Sequence, residues 1–335
     1  MKKLQKTLFT TIFGIICYLL LWLSTASTSV VLPQTGEPPI LYSNQVDDDL
    51  KLTFEQAIRE ANESVLLIIY SLIDPKIIQT LRNKAEEGVE VVVICDPEAS
   101  AGVEKKLGSK VSTYKRCGQG IMHQKILVTD HRRVWIGSAN MTTQSLLVHG
   151  NLVVGLHHEE LASALHEKAD SMIQTGAKRA ITHRFFAIND QQIEMWFLPE
   201  DTDAIYRLKQ LIKTAKKSIY VAMFTWTRHD LAKELIKARN KGIQVEVALD
   251  RGSASGVSSK VAKLLADDGI PVILNSGSGL LHHKMMVIDD ETLVIGSANW
   301  TLAAFEKNND CFMVIYPLNE TQKRTLHRLW KVIAE

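Results

Sequence analysis

The chain contains one structural unit twice, and this duplication limits the folds open to it. Residues 64–96 align without a gap with residues 218–250, at an offset of 154. Each copy is an apolar strand-like run, an amphipathic helix closed by a glycine, and a second apolar run ending in aspartate. A strand, helix and strand of this length form a βαβ crossover, so part of the sheet is parallel. Because each repeat is domain-sized, we predict two tandem domains and not a solenoid.

An opening strand and a helix are predicted ahead of each copy. They occupy residues 40–43 and 53–62 in the first half, and 194–198 and 202–215 in the second. The proposed division is a linker at 27–39, a first domain at 40–180 and a second at 181–335, with the boundary inside 179–190 after a predicted helix at 159–175. We expect an α/β architecture: two mixed, mostly parallel sheets flanked by helices and packed about a pseudo-twofold axis.

Residues 1–26 have the layout of an export segment. Two lysines near the start precede an uncharged stretch at 8–23, and Ser24-Thr25-Ala26 supplies small residues for cleavage after Ala26. A helix of that length spans about 24 Å, short of a ~30 Å hydrocarbon core. We therefore favour a cleaved signal peptide, with an uncleaved membrane anchor as the alternative. Either predicts a protein that is exported, secreted or held at a membrane.

Composition excludes several classes of protein without selecting a partner. Apolar residues make up 46% and charged residues 23%, as in globular domains. The chain has 39 Lys and Arg against 37 Asp and Glu, and 36 against 37 without the three lysines of its first six residues. Proteins that bind nucleic acid through bulk charge are more basic than this. Cys95, Cys117 and Cys311 would remain after export, and an odd number implies no disulfide framework.

The second part of each repeat carries one polar pattern at identical spacing. The pattern is His-x-Lys, four residues, Asp, six residues and Gly-Ser-x-Asn. Its members are His123, Lys125, Asp130, Gly137, Ser138 and Asn140 in the first copy, and His282, Lys284, Asp289, Gly296, Ser297 and Asn299 in the second. The offset is now 159, so the second copy has gained five residues, which we place in a loop at 251–257.

The spacing brings these side chains together. Residues two apart on a strand share a face, so each His projects beside its Lys. The apolar runs on either side of each Asp predict a hairpin that returns Gly-Ser-x-Asn to the His-Lys end. An imidazole, an ammonium, a hydroxyl and a carboxamide together suit phosphoryl chemistry. Across a pseudo-twofold axis, one His could attack phosphorus while the other protonates the leaving oxygen.

The residues differ in how strongly the pattern implicates them. His123, Lys125, His282 and Lys284 are the main catalytic candidates, because a strand Lys is costly without an anionic partner. Asp130 and Asp289 complete the catalytic set, although the start of a hairpin also suits a structural role. Ser138, Asn140, Ser297 and Asn299 are predicted to bind phosphate, although the serines could instead cap turns. His131 and His283 have no repeat counterpart and are interpreted as bystanders, and Gly137 and Gly296 as backbone requirements.

The duplicated pattern resembles the HKD signature of the phospholipase D superfamily, over residues 40–335. Residues 282–310 are similar to small Nuc-type endonucleases and mitochondrial cardiolipin hydrolase, through His-His-Lys, the run at 296–301 and Asn-Asn-Asp at 308–310. Those relatives have one motif per chain and dimerise, so a monomer with two motifs can be complete. The resemblance implies an α/β fold, a phosphohistidine intermediate and no metal or other cofactor.

The resemblance also implies roles for the two histidines. A carboxylate after the second motif orients a histidine in the family, and Asp310 matches it, whereas the first repeat has Asn151. We expect Asp310 behind His282, which makes that ring the more basic proton donor. Asn151 behind His123 would leave a neutral nucleophile, the role that the family gives to the first motif. Alternatively, the carboxylate stabilises a phosphohistidine on His282.

Three functions remain open at this stage. The first is a phospholipase D that releases a head group and leaves phosphatidic acid, the second a metal-independent nuclease on DNA or RNA, and the third an inactive binding module. Residues 104–133 contain a basic run that could meet a phospholipid surface or a nucleic acid, or be a solvated face. Its members are Lys105, Lys106, Lys110, Lys115, Arg116, Lys125, Arg132 and Arg133.

Phosphodiester cleavage should be independent of metal ions. The motifs contain no carboxylate cluster with metal spacing, and two lysines would repel a cation. We expect the rate of hydrolysis to be unchanged in EDTA. A loss of activity on chelation that Zn²⁺, Mg²⁺ or Ca²⁺ restores would contradict this mechanism.

Overall fold

The computed structural model describes residues 30–173, 182–277 and 279–335. The predicted export segment at 1–26 lies outside these residues, as does the end of the first predicted domain. Among the described residues, no helix has both the length and the apolar character needed to cross a membrane. Residues from Pro33 to Glu335 form one unit.

The first half forms a seven-stranded sheet in the order β1-β7-β6-β5-β2-β3-β4. Its strands are β1 (Ile40–Tyr42), β2 (Ser64–Ile69), β3 (Glu90–Cys95), β4 (Ser112–Lys115), β5 (Lys125–Thr129), β6 (Arg133–Gly137) and β7 (Val153–His157). Its helices are α1 (Leu50–Arg59), α2 (Pro75–Glu86), α3 (Val103–Leu107), α4 (Thr143–Leu147) and α5 (Glu159–Ile173). Asp49 and Asp74 accept hydrogen bonds from the first turns of α1 and α2, which fixes where these helices begin.

The second half forms an eight-stranded sheet in the order β12-β11-β10-β13-β14-β15-β9-β8. Its strands are β8 (Arg184–Ile188), β9 (Gln191–Leu198), β10 (Ser218–Met223), β11 (Gln244–Leu249), β12 (Val272–Leu274), β13 (Lys284–Ile288), β14 (Thr292–Gly296) and β15 (Asp310–Tyr316). Its helices are α6 (Ala204–Thr214), α7 (His229–Asn240), α8 (Arg251–Ser255), α9 (Ser259–Asp267), α10 (Leu302–Glu306) and α11 (Glu320–Ala334).

Both sheets are mixed, as expected, but the expectation that they are mostly parallel is wrong. Only β2-β3-β4 and β10-β11-β12 pair in parallel, and every other neighbouring pair is antiparallel. The βαβ crossovers produce the parallel strands. The motif hairpins then add antiparallel strands, because a short turn can only reverse the chain.

The interval expected to contain the domain boundary, residues 179–190, includes the first strand of the second half. Strand β8 (Arg184–Ile188) pairs with β9 across a turn at Asn189, where φ is 54°. The sequence did not predict this short edge strand. The division between residues 180 and 181 stays a prediction.

The structure also locates most of the five residues gained by the second copy. Ser258 accepts a hydrogen bond from Trp226 N–H, as Ser100 does from Leu72 N–H, so the two serines are equivalent at an offset of 158. Because the offset is 154 before this loop, four of the five extra residues lie ahead of Ser258, as predicted.

The two halves share a core. One buried apolar cluster includes Leu66 and Ile68 of β2, Met285 and Val287 of β13, and residues of α5 and α11. The alternate residues of each strand point to the opposite face of the sheet, toward the flanking helices. In the second half, these residues form a separate buried cluster with α6, α7 and α9. Because the inner faces of both sheets are buried together, neither half can be removed without exposing a large apolar surface.

Reciprocal backbone contacts demonstrate the pseudo-twofold relation. Met122 pairs with Asn309, and Gly150 pairs with Leu281, each as an isolated parallel bridge. Adding 159 to the first member of each pair gives the partner in the other pair, so the two bridges are one contact made twice. The segment ahead of each His-x-Lys therefore contacts a loop of the other half. Residues before β5 contact the loop between β14 and β15, and residues before β13 contact the loop between β6 and β7.

Each hairpin turn is anchored by the aspartate of its motif. Asp130 accepts hydrogen bonds from the backbone N–H groups of Asn62, Glu63 and Ser64, at 2.8, 2.8 and 3.3 Å. Asp289 accepts the equivalent bonds from residues 216–218, at 2.7–2.9 Å. Burial by itself raises the pKa of Asp130, but the three N–H donors outweigh it and hold that pKa below its ordinary value. These carboxylates connect each hairpin to the start of its central strand.

Replacement of Asp130 by Ala should destabilise the fold. Three backbone N–H groups lose their acceptor, which costs about 1–3 kcal/mol of unfolding free energy at pH 7. Because the folded carboxyl has a lowered pKa, its stabilisation is present above the ordinary pKa and is lost as the pH falls through the lower folded value. Urea unfolding of both proteins from pH 7 to pH 3 measures the difference.

Asp267→Ala is the control, because that carboxylate pairs only with exposed Lys263. It should change the unfolding free energy by less than about 1 kcal/mol. An Asp130→Ala protein as stable as the parent at pH 7 would show that the turn does not depend on these bonds.

Candidate active site

Two buried His-Lys pairs form the centre of the site, one from each half. Lys125 and Lys284 begin strands β5 and β13, and each ammonium donates a hydrogen bond to the carbonyl of the histidine two residues before it. For Lys284 that bond to the carbonyl of His282 is 2.8 Å long. The predicted shared face of His and Lys is therefore present in both copies.

The imidazole of His123 is held by a residue of the other half. Its Nδ1 lies 2.8 Å from Oδ1 of Asp310, the first residue of β15. A carboxylate can only accept, so the proton is on Nδ1 and the lone pair of Nε2 is free. The expectation that Asp310 lies behind His282 is wrong. The reason is the docking of each pre-motif segment on the opposite half: His123 N–H donates to Asn309 O at 2.8 Å, which places its ring beside the next residue, Asp310.

The imidazole of His282 has the mirror-image partner. Its Nδ1 lies 3.0 Å from Oδ1 of Asn151, and its backbone N–H donates to Gly150 O at 2.9 Å. The amide orientation of Asn151 is fixed, because its Nδ2 donates to the carbonyls of Ser145 and His149 at 2.8 and 3.0 Å. Its oxygen must then face His282 and accept from Nδ1–H. The expectation that Asn151 lies behind His123 is wrong for the same reason.

Burial and mutual repulsion keep this centre from carrying its full positive charge. Burial lowers the pKa of His123, Lys125 adds to this, and Asp310 opposes it. Burial lowers the pKa of His282 further below its ordinary value, and both lysines and His123 contribute. Burial likewise lowers the pKa of Lys125 to about 7 and that of Lys284 well below its usual range. Charges of both halves act on each ring, so the two pairs form one site.

The serines of the motif support the site and do not face it. Ser138 is buried and donates to Oδ1 of Asn151 at 2.8 Å, while Ser297 is buried and donates to Oδ1 of Asp310 at 2.6 Å. The expectation that they bind phosphate is therefore wrong, because each hydroxyl is engaged with the residue that orients a histidine. Gly137 permits this contact: a Cβ there would lie 2.3 Å from the carbonyl oxygen of Leu152.

The two motif asparagines keep polar groups available. Asn299 accepts from the backbone N–H of Thr225 at 3.2 Å through Oδ1, which leaves its amide N–H groups to donate. The Oδ1 atom of Asn140 is buried and has no hydrogen-bond partner among the described residues. The prediction that Asn140 and Asn299 bind phosphate stays a prediction.

Asp130 and Asp289 lie away from the centre. Each follows the far end of the strand that its motif Lys begins, about 16 Å along a five-residue strand. Their inclusion in the catalytic set is therefore wrong, and their structural role in the turn is the one observed. The identical spacing from Lys to Asp in the two motifs reflects the equal lengths of strands β5 and β13.

The basic run at 104–133 is not one surface. Lys125 is buried in the site, whereas Arg132 and Arg133 lie at the far end of the hairpin and pair with Asp130 and Glu60. Lys115 pairs with Glu104. The sequence places these cations close together, but the strands β4, β5 and β6 distribute them over both ends of the sheet.

Sequence reasoning missed three aromatic residues at the site. The ring centroid of Tyr70 lies 5.1 Å from that of His123, and the ring of Phe224 lies 4.9 Å from that of His282. Lys125 and Lys284 lie 5.2 and 4.9 Å from the same two ring centroids, within cation–π range. Tyr70 and Phe224 are repeat equivalents at an offset of 154, a signal that could have identified them.

His149 is the third, and it has no such signal. Its ring centroid lies 6.4 Å from that of His282, and it is half-buried. Burial lowers the pKa of His149, with Asp250 opposing and Lys284 contributing. Because the equivalent residue is Asn308, the repeat did not distinguish this histidine.

No group of three or more His, Cys, Asp or Glu in the described ranges could hold a metal ion. The polar groups at the centre are two imidazoles, two lysine amino groups and one carboxylate. The arrangement suits a bound phosphate anion, a histidine nucleophile and a proton donor.

Comparisons with known proteins agree with this chemistry. A family model described as "Cardiolipin synthase, PLD-like domain" matches residues 54–173 and 208–330, more than half of the chain. Mitochondrial cardiolipin hydrolase of Xenopus tropicalis is 27% identical over 136 residues, 40% of this chain and 64% of that protein. A phospholipase D of Rickettsia typhi is 28% identical over 149 residues, 40% of this chain and 72% of that protein.

A solved structure resembles nearly the whole chain. Phosphatidylserine synthase of Haemophilus influenzae superposes with a TM-score of 0.70 at 13% identity, over 90% of this chain and 87% of that one. At this identity the likeness concerns the fold. The resemblance inferred from the HKD motifs is confirmed by the family model. The chain therefore belongs to the phospholipase D superfamily.

Proposed function

We propose that this protein is a phospholipase D-type phosphodiesterase that acts through a phosphohistidine on His123. The observation that carries the proposal is the crossed pairing of His123 with Asp310 and of His282 with Asn151, beside two buried lysines. Two imidazoles with different Nδ1 partners, beside two lysines, support a nucleophile and an acid acting on one phosphate. An inactive binding module would not need both rings oriented through Nδ1.

In the first step, Nε2 of His123 attacks phosphorus and the bond from phosphorus to the head-group oxygen breaks. His282 gives its Nε2 proton to the departing oxygen, so the head group leaves as a neutral alcohol. Lys125 and Lys284 offset the charge on the non-bridging oxygens, with Asn140 and Asn299 as further donors. In the second step, water attacks phosphorus, its proton passes to His282, and the phosphorus–nitrogen bond breaks.

The crossed pairing reverses the argument that made His282 the more basic ring, so the nucleophile must be assigned anew. A phosphorylated imidazole carries a positive charge for the lifetime of the intermediate. Asp310 can balance that charge at His123, whereas Asn151 offers only a dipole at His282. His282 needs its proton only while substrate is bound, when the phosphate anion opposes the two lysines that lower the pKa of His282. Both considerations favour His123 as nucleophile.

A phospholipid is the proposed substrate, and phosphatidic acid the proposed product. The names of the cardiolipin hydrolase and phospholipase D relatives support a lipid. The chain spans only 64% of the former, so the substrate is an inference about this chain. A nucleic acid is less favoured, since the basic run is distributed over both ends of the sheet. Incubation with phosphatidylcholine, cardiolipin and single-stranded oligonucleotides tests the proposal: cleavage of the oligonucleotide alone would contradict it.

Two further proposals follow for the whole molecule. We propose that it works as a monomer, because both His-Lys pairs come from one chain. We also propose that it is exported or held at a membrane through residues 1–26, on the strength of their sequence alone.

Replacement of either histidine by Ala should abolish most activity through different steps. His282→Ala should lower kcat by about 10²–10⁴-fold, the usual contribution of a general acid. His123→Ala should lower it at least as much, because no intermediate can form. A substrate with a p-nitrophenol leaving group needs no acid in the first step, so His282→Ala should still release about one equivalent of p-nitrophenol in a rapid burst, whereas His123→Ala should show no burst. Steady-state rates on the phospholipid and burst amplitudes on the p-nitrophenyl substrate provide the measurement.

The intermediate provides the control for that assignment. Rapid quenching of the parent with labelled substrate, followed by peptide mapping, should place the phosphoryl group on His123. Label on His282 in the parent would reverse the roles. Half of the activity surviving in either variant would instead mean two independent sites.

Exchange of Asn151 for Asp should move one limb of the pH profile. A carboxylate at Nδ1 raises the pKa of His282, so this acid stays protonated to higher pH and the alkaline limb of kcat moves upward. Asp310→Asn is the matched reverse change: it lowers the pKa of His123, so the acid limb moves downward and kcat falls. If Asn151→Asp moved the acid limb instead, His282 would be the nucleophile.

A further inference from the structure

Exposed apolar side chains are concentrated at the end of the molecule that contains the site. Both central strands, β2 and β10, run toward this end, and β5 and β13 start there. Among the described residues, thirteen large apolar side chains are exposed. Seven of them lie in the connections between strands at this end. We call these seven the apolar rim: Ile73, Ile121, Leu147, Val148, Val257, Leu280 and Leu302.

The rim is directly beside the reacting groups. Ile121 and Leu280 are equivalent residues, each two positions before a catalytic histidine. The backbone carbonyls of both are bonded across the pseudo-twofold axis, Ile121 O to Asn309 N–H at 3.0 Å and Leu280 O to Gly150 N–H at 2.8 Å. Val148 immediately precedes His149 and Gly150. A surface that contacts these side chains is therefore placed against the mouth of the site.

Folding does not require apolar residues at several rim positions. Leu147 and Val148 correspond to Glu306 and Lys307 in the other half, and Leu302 corresponds to Thr143. Both members of each pair are exposed in the same backbone context, so the fold accepts a charged or polar residue there. Leaving such side chains in water gains nothing for stability, which points to a partner that covers them.

The chemistry of the rim identifies the partner. All seven side chains are aliphatic, whereas single-stranded nucleic acids are bound through aromatic stacking. Three basic residues in the same connections, Arg116, Arg251 and Lys307, make no ion pair with any described residue. Aliphatic side chains interspersed with free cations fit the boundary between phosphate head groups and acyl chains.

We propose that this end of the molecule docks on a phospholipid bilayer, with the apolar rim inserted at the level of the head groups. The docking delivers a head-group phosphodiester to the site without the lipid leaving the bilayer. This inference rests on the proposed lipid substrate and adds the surface through which the protein reaches it.

Insertion can be measured in the full chain, whether or not residues 1–26 contribute to binding. Val148→Cys is made with Cys17→Ser and Cys117→Ser, since Cys17 belongs to the full chain, Cys117 is exposed, and Cys95 and Cys311 are buried. The new thiol is labelled with an environment-sensitive fluorophore. Vesicles of phosphatidylcholine and phosphatidylglycerol with brominated acyl chains should quench it. The matched control, Phe185→Cys, labels an exposed position on the edge strand β8 and should not be quenched.

A second arm tests the consequence for catalysis. Leu147→Glu combined with Val148→Lys copies the residues of the other half and leaves the net charge unchanged. Removing two partly inserted aliphatic side chains should lower hydrolysis of vesicle phospholipid by about tenfold or more. Hydrolysis of soluble bis(p-nitrophenyl) phosphate should be unchanged, because neither side chain touches the reacting groups. Phe185→Ser should affect neither rate.

The outcomes separate this inference from the proposed function. Quenching at position 148 and not at 185 would support the docking. If no phospholipid were hydrolysed in the same sample, the proposed function would be wrong and the docking would stand. Lipid hydrolysis without quenching at 148, or with equal quenching at 185, would overturn the docking. So would a Leu147→Glu, Val148→Lys protein that hydrolyses vesicle phospholipid as fast as the parent.

Discussion

The crossed imidazole contacts are the interaction on which the rest of this structure depends. His123 takes its orientation from Asp310, and His282 takes its orientation from Asn151, so each catalytic ring is fixed by the opposite half. Neither half can form a competent site by itself. These contacts form only while the two halves stay packed together, and the inner faces of both sheets are buried in one core. In the proposed mechanism the shared core is therefore a catalytic requirement as well as a source of stability.

Duplication supplies the symmetry of this site, and a single pair of residues supplies its asymmetry. The serines, the glycines and the backbone bonds of both halves are equivalent, and Oδ1 of Asn151 and Oδ1 of Asp310 each accept from a serine hydroxyl and an imidazole. The charge differs between these two residues, since Asp310 is a carboxylate and Asn151 is an amide. The lower pKa of His282 relative to its ordinary value agrees with that difference. In the proposed mechanism this exchange of oxygen for nitrogen gives two motifs of the same pattern different roles.

The sequence predicted the repeat, the hairpins and the four His and Lys residues, because these follow from local spacing. A period of two on a strand places His beside Lys whatever the rest of the chain does. Pairing between halves has no such local signal. Asp310 is near His282 in sequence, yet it meets His123, because the docking of Met122 against Asn309 is a tertiary contact. The serines were misassigned for a related reason: the spacing placed Ser138 near the site but not the direction of its hydroxyl, which is set by Asn151.

The same tertiary contacts explain why the centre can bury two lysines. Their ammonium groups bond only carbonyls of the preceding histidines, and burial lowers the pKa of Lys125 to about 7. With one carboxylate present, the centre would hold excess positive charge if every base were protonated, and burial makes that costly. In the proposed function, a phosphodiester supplies the missing negative charge. Its binding would raise the pKa of both lysines and of His282, and so would charge the groups to which we assign stabilisation of the transition state and protonation of the leaving oxygen. The lowered pKa values of these buried bases are therefore the electrostatic counterpart of the anionic substrate that we propose.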